Sequence, residues 1–400
     1  MNAMELPSFW EGFCVHACDE QVDGSLQITL EADPARVPLC GGCSRPSPLI
    51  HDGQWRRIRE RDLLDRRVWL RVRLRRVDCL SCGRRRERVS WLAPRARFTR
   101  RLQAWVEALV GLLPIQHVSV LLGLHWTTIK DIDRRRLEAA HGAFDGRGVR
   151  RLVMDEFALH KGHRYATVIM DAPTLRVLWV GEGNSRQAIA PFFAQLGEAG
   201  CQAIEAVAMD MNTAFDLEVR QHCPQAEVVY DLFHVVARFG REVIDRVRVD
   251  QANALRQDRP ARKVIKRSRW LLLRNQAHLT PEQAIGLHEL LAANRPLATV
   301  YLLKTSLKEI WYAPDVREGW RRWRTWYRLA RESGIAAVIG FAKRLKPYLR
   351  GILASARYHL HTSVLEGVNN RIKVIKRMAY GFRDSAYFFL KIKAAFPGKA

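Results

Sequence analysis

The chain has no run of about eighteen or more apolar residues, which excludes a membrane-spanning helix. Its first residues, MNAMELPSFWEG, lack the basic stretch and apolar core of a secretion signal, so a cytoplasmic protein is expected. Acid is scarce as well. Lys+Arg number 66 against 41 Asp+Glu, a formal charge of +25. Such an excess implies a polyanionic partner, with nucleic acid first and an anionic membrane surface second. Cysteine is sparse, at 8 residues, yet two pairs stand as Cys-x-x-Cys. Without an export signal, that spacing favours metal over disulfides. Apolar residues are not lacking. At 48% of 400 residues they suffice for packed cores, and at roughly 150 residues per domain the chain suggests several domains.

Residues 1–95 read as a zinc-ribbon-like module. Cys40-Gly-Gly-Cys43 and Cys79-Leu-Ser-Cys82 each form a knuckle whose two thiolates reach one ion, and two knuckles complete a tetrahedron around Zn²⁺. Four cysteines leave no open coordination position, so this zinc is structural. The intervening stretch, 44–78, is longer than the roughly 15 to 20 residues usual for the pattern. It contains strict alternation, however. Val68, Leu70, Val72 and Leu74 interleave with Arg67, Trp69, Arg71, Arg73 and Arg75, a strand with one apolar and one basic face. Arg71, Arg73 and Arg75 are candidate DNA contacts. The plain alternative is a set of unliganded thiols.

Residues 96–149 read as a helix-turn-helix. Thr99 can cap a first helix and Pro114 opens a second. Val118, Leu122, Leu124, Ile129 and Ile132 take the buried positions, and Gly123 falls in the turn, where a positive φ is easiest. The last helix, from about Thr127 or Thr128, carries Lys130, Arg134, Arg135 and Arg136. Thr128, Lys130 and Arg134 are the candidate contacts of a major-groove recognition helix. A generic helical hairpin would show much the same pattern.

Residues 150–250 are strand-rich. Arg151–Phe157, 163–170 and 174–181 read as three strands, 185–196 as a helix, and Ile204–Asp210 and Glu227–Asp231 as further strands. This is an α/β order, and an RNase H-like fold has it: three antiparallel strands, then parallel ones. Asp155 and Asp210 stand at strand ends. Two such carboxylates can hold a pair of Mg²⁺ ions ~4 Å apart for phosphoryl transfer, and a helix-borne Glu can complete the site. Glu156 should point to the opposite face from Asp155.

Residues 251–355 show no strand pattern and read as an all-α insertion, with Trp320, Trp323 and Tyr327 as core and nearby arginines facing phosphates. In 356–400, Glu366, Asn369, Asn370 and Lys373 fall on one face of a final helix, at offsets of three, four and seven. That face could set a metal-binding carboxylate with amides and a cation against a phosphate backbone.

Taken together, Met154-Asp-Glu, Met209-Asp210, Asp231-x-Phe-His234, Arg269-Trp270-Leu-Leu and Glu366-Gly-x-Asn-Asn-x-Ile-Lys373 resemble the DDE transposases of bacterial insertion sequences, in particular the ISL-three family. The resemblance covers nearly the whole chain. It implies an RNase H-like core split by the helical insertion, with Asp155, Asp210 and Glu366 as a catalytic triad holding two Mg²⁺ or Mn²⁺ ions. Asp231 and His234 match a family motif near the site. The implied reaction cuts the element's end with water, exposing a 3′-hydroxyl that attacks target DNA. The zinc module and helix-turn-helix would recognise the terminal inverted repeats of double-stranded DNA. Paired ends imply a homodimer. The alternatives are an inactive DNA-binding regulator descended from such an enzyme and a structure-specific nuclease of the same fold.

Overall fold

The computed structural model describes residues 9–399 apart from 161, 163, 359, 361 and 362, and for 363–366 the backbone alone. The chain forms two compact units, Met1–Ala140 and His141–Ala400.

In the first unit, β1 (Phe13–Glu20), β2 (Leu26–Ala32), β3 (Ile50–Leu63) and β4 (Arg66–Cys79) form a sheet in the order β1-β2-β4-β3, with β5 (Gly83–Arg86) pairing β4. The long stretch between the cysteine pairs is thus mostly a hairpin. Its two turn residues, Leu64 and Asp65, both take positive φ, 48° and 62°. That conformation matches the twist of antiparallel strands. The period-two pattern of β4 holds in space: Val68, Leu70, Val72 and Leu74 are buried against Ile28, Leu30, Ile58 and Trp91, while Arg71 and Arg73 are exposed.

Three helices follow: α1 (Arg100–Leu112), α2 (Ile115–Leu122) and α3 (Trp126–His141). Thr99 caps α1 by accepting from Leu102 N–H. Gly123 closes α2 in the left-handed region, φ 60° and ψ 30°, where a side chain would be strained. Val118, Leu122, Ile129 and Ile132 are buried together, with Leu124 packed against them. The last helix starts slightly before the expected threonines, because His125 Nδ1 accepts from Thr127 N–H at 3.3 Å and begins the turn early.

The second unit holds the sheet β10-β9-β6-β7-β8. Its strands are β6 (Arg151–His160), β7 (Arg164–Asp171), β8 (Val177–Glu182), β9 (Ala206–Met209) and β10 (Glu227–Tyr230). β6, β7 and β8 pair antiparallel, whereas β9 runs parallel to β6 and β10 parallel to β9. The crossovers are α4 (Arg186–Ala203), capped by Ser185, and α5 (Thr213–His222), capped by Asn212. α6 (Leu232–Phe239) leaves β10 from its cap, Asp231.

After α6 every element among the described residues is a helix, and one more, Ser385–Ala395, follows the helix expected to be final. Buried Trp311 donates Nε1–H to Tyr230 O at 3.0 Å, tying this block to β10. The expectation for its tryptophans needs correction. In helix Val316–Glu332 the buried residues are Gly319, Trp323, Trp326 and Ala330. Trp320, one residue off that 4-3-4 stripe, is rotated by about 100° to the outside and is 42% exposed. No helix among the described residues is long and apolar enough to cross a membrane.

Candidate active site

Asp155 and Asp210 come to neighbouring parallel strands by different routes, and Asp155 is not at the strand end expected of it, because β6 continues to His160. Asp155 lies within β6, and Asp210 directly follows β9, the parallel neighbour. Val153 and Phe157, on the same side of β6 as Asp155, pack against Val368 and Ile372 of helix Ser363–Met378. This helix therefore covers the Asp155 face. From it, Asn369 donates Nδ2–H to Asp155 Oδ2 at 2.7 Å, and Glu156 N–H reaches Asp155 Oδ1 at 2.8 Å. The Asp155 carboxylate is held by both oxygens. Glu156 belongs to the opposite face, where Asn184 Nδ2–H binds its Oε2 at 2.6 Å.

Burial raises the pKa of Asp155 despite these donors and the nearby His234 imidazole. Asp210 is pushed up to about 6, first by burial, with Glu156 and Asp155 adding to the rise and His234 opposing it. Asp231 accepts from Phe233 N–H at 3.0 Å, and its Oδ2 lies 3.6 Å from His234 Nε2. Asp155, Asp210, Asp231 and His234 thus share one electrostatic neighbourhood, which the Glu156 charge also reaches at Asp210. Glu366 lies in the same helix one turn before Asn369, and its side chain lies outside the described residues.

The donor set suits a hard divalent cation. Two carboxylates whose ionisation is opposed by burial and by neighbouring carboxylates would be relieved by a bound charge. Asn369 Oδ1 is buried and has no hydrogen-bond partner among the described residues, an acceptor that a cation or ligand donor would satisfy.

The four predicted zinc ligands do converge: ligand atoms of Cys40, Cys43, Cys79 and Cys82 lie within 4.8 Å of one another. Gly42 makes room for them, since a Cβ there would sit 3.1 Å from Cys82 Sγ. Backbone N–H groups of Cys82 and Ser81 bring Cys79 down to about 6. The Cys43 thiol and burial push Cys82 up to about 12. Four sulfurs this close ionise together only around a cation, and the all-sulfur set suits zinc.

The predicted DNA contacts have different fates. Arg71 and Arg73 point outward, but Arg75 is turned to Glu87, with Nε 2.9 Å and Nη2 2.8 Å from Oε2. On α3, Arg134 pairs with Glu138 at 2.8 Å, Arg136 with buried Asp133 at 2.7 Å, and Thr128 and Lys130 are half-buried. Arg135 is exposed. Asn370 and Lys373 are exposed, whereas Asn369, expected on the phosphate-facing side, faces Asp155. Asn184 escaped notice in the sequence because a single Asn after a strand looks like a turn residue. The signal available for His125 was its place just before Thr127 at a helix start.

A family profile described as "Transposase", of the DDE type in ISL3 elements, matches residues 152–392. A second, "Helix-turn-helix domain of transposase family ISL3", matches residues 87–137. A transposase for insertion sequence element IS1001 of Bordetella parapertussis is 51% identical over 401 residues, covering 99% of this chain and 98% of that protein. A transposase for insertion sequence element IS1557 of Mycobacterium tuberculosis is 27% identical over 393 residues, covering 92% of this chain and 87% of its own.

Proposed function

Because the chain belongs to the ISL3 family of insertion-sequence transposases, we propose that it binds the terminal inverted repeats of its element and catalyses divalent-cation-dependent strand cleavage and strand transfer. The core is RNase H-like in this reading. Three antiparallel strands continued by two parallel ones support it, as does the helical block between β10 and helix Ser363–Met378.

The observation that carries the reading is that Asp155 in β6 is bonded to Asn369 of the helix that contains Glu366, while Asp210 directly follows β9, the parallel neighbour of β6. Asp155, Asp210 and Glu366 would hold the divalent cations, Mg²⁺ or Mn²⁺, which supply Lewis-acid stabilisation of the charge that develops in phosphoryl transfer. The chain's own contribution is to aim and restrain. Glu156 N–H and Asn369 keep the Asp155 carboxylate in one rotamer. Asp231 fixes the start of α6, and His234 balances acidic charge beside it. The in-line displacement itself needs little covalent help from the protein, so positioning is its main task.

The cysteine quartet would hold a structural zinc, and α3 would read bases in the major groove. Each element has two ends, so a homodimer would join one copy to each.

The test is nicking of DNA that carries the element's inverted repeats, in Mg²⁺ and in Mn²⁺. Wild type is compared with Asp155→Asn, Asp210→Asn and Glu366→Gln. Cation-dependent cuts at the repeat ends, lost in all three variants, support the reading. Cleavage that survives the substitutions overturns the assignment of the acids.

A further inference from the structure

The outer face of the β3–β4 hairpin is made of arginine and tryptophan. Directly opposite pairs are Gly53 with Arg75, Trp55 with Arg73, Arg57 with Arg71, and Arg59 with Trp69. The acids that meet these rungs do so at their ends: Glu87 pairs with Arg75, and Asp62 pairs with Arg59. Arg57 facing Arg71 is an unfavourable rung, since like charges directly opposite destabilise a sheet. The strain is eased diagonally: the Arg57 guanidinium lies 4.2 Å from the Trp69 ring centroid and that of Arg71 4.8 Å from Trp55. Arg73 lies across Gly53, where a Cβ would come 2.7 Å from its Nε. Arg57, Arg71 and Arg73 are exposed, and among the described residues no carboxylate lies in ion-pair range of them. The ring contacts restrain the Arg57 and Arg71 guanidiniums, which remain exposed.

The face is also fastened to the helix-turn-helix. Arg59, only 3% exposed, donates from Nη1 to Val68 O at 3.2 Å and from Nη2 to Leu122 O at 3.3 Å, at the last residue of α2. Beside it, a Cβ on Gly123 would meet Arg67 Nη2 at 2.6 Å, so that arginine lies on the turn before α3. The glycine therefore serves twice, for its positive φ and for this close approach.

We propose that this face is a second DNA-contacting surface, which grips the phosphate backbone of the duplex whose bases α3 reads. The proposal rests on the reading of α3 as the recognition helix. Charge complementarity selects the occupant: Arg57, Arg71 and Arg73 are exposed guanidiniums outside ion-pair range of any described carboxylate, and such forks match phosphates, which they can bind bidentately. Trp55 and Trp69 act as braces for the arginines rather than as readers of sequence. Coupling through Arg59 makes hairpin and recognition helix one interface, with the hairpin adding affinity and α3 supplying specificity.

Fluorescence anisotropy on the full chain tests it, with a terminal-repeat duplex and a scrambled duplex over a range of salt concentrations. The pair Arg57→Gln with Arg71→Gln should weaken binding to both duplexes about tenfold near 0.1 M salt and lower the slope of log K against log salt by about two. The preference for the terminal repeat should stay unchanged. The pair Arg57→Lys with Arg71→Lys keeps the charge and should retain most of the slope. Thr128→Ala with Arg135→Ala on α3 should instead erode the preference. An unchanged slope in the glutamine pair, with wild-type circular dichroism and zinc content, would overturn the proposal. So would a defect confined to the terminal repeat, a lowered melting temperature with equal losses in the lysine pair, or tighter binding of RNA than of duplex DNA. A defect in the α3 variant alone would sink this face but keep the recognition reading. No defect in either would sink both.

Discussion

Asn369 donates its Nδ2 proton to Asp155 Oδ2 across 2.7 Å, joining residues 214 positions apart. Only the amino end of an amide can donate to an ionised carboxylate, so the bond sets the amide's orientation. Its Oδ1 is then left buried and unpartnered among the described residues. The same bond links the helix that carries Glu366 to the strand that carries Asp155.

If this bond aims Asp155 at a cation, Asn369→Ala should raise the Mg²⁺ concentration for half-maximal cleavage by about tenfold, the lower end of what supporting residues cost in metal affinity. Saturating cation should restore much of the rate, and binding to terminal-repeat DNA should stay near wild type. A titration of cleavage against Mg²⁺ measures this. An unchanged midpoint would show that Asn369 does not act through the cation site.

Burial raises Asp210 from an ordinary 3.8 to about 6. Between those values the folded protein binds more protons than the unfolded chain, so stability falls as pH rises through that window. Above about 6 the cost of the buried charge is fully present, and below about 3.8 it is absent. Asp210→Asn removes it. In cation-free buffer the variant should be more stable than wild type at pH 7.5, by on the order of 3 kcal/mol, with the gap closing toward pH 4. Urea denaturation at several pH values checks this. A gap of constant size would mean that ionisation of Asp210 is not the source.

Cys79→Ser removes the thiol that backbone N–H groups favour most as thiolate. Bound zinc should fall from about one ion per chain to a small fraction, since a structural tetrahedral site needs all four ligands. The β4–β5 turn should loosen, and terminal-repeat binding should drop by at least tenfold, because metal binding and folding are linked in such modules. Metal analysis and anisotropy on the same preparation decide it. Full zinc content with normal DNA binding would refute a zinc site there.

Much of the architecture could be read in the sequence because its causes are local. Alternation at Val68–Leu74 reported a two-faced strand, and Thr99 and Gly123 marked helix ends through capping and φ preference. The strand-end position of Asp210 was equally visible, since it closes a short apolar run, whereas the expected strand end at Asp155 was wrong: β6 pairs with β7 on to His160 and leaves Asp155 in mid-strand. Spacing by itself also predicted that Cys40, Cys43, Cys79 and Cys82 would meet, although it underrated the 44–78 stretch that turned out to be a hairpin.

Contacts between distant segments decided the rest. The sequence placed Asn369 on a polar face with Lys373, but Val368 and Ile372 pack against β6 and turn Asn369 to Asp155. Arg75 shares its strand face with Arg71 and Arg73, but the return of the chain to Glu87 occupies it. Trp320 has helical spacing with Trp323, yet the block packs through Trp323 and Trp326. Local preferences act over a few residues and settle which elements form. Which side of an element is covered depends on partners brought in from far along the chain, and no short-range pattern encodes that choice.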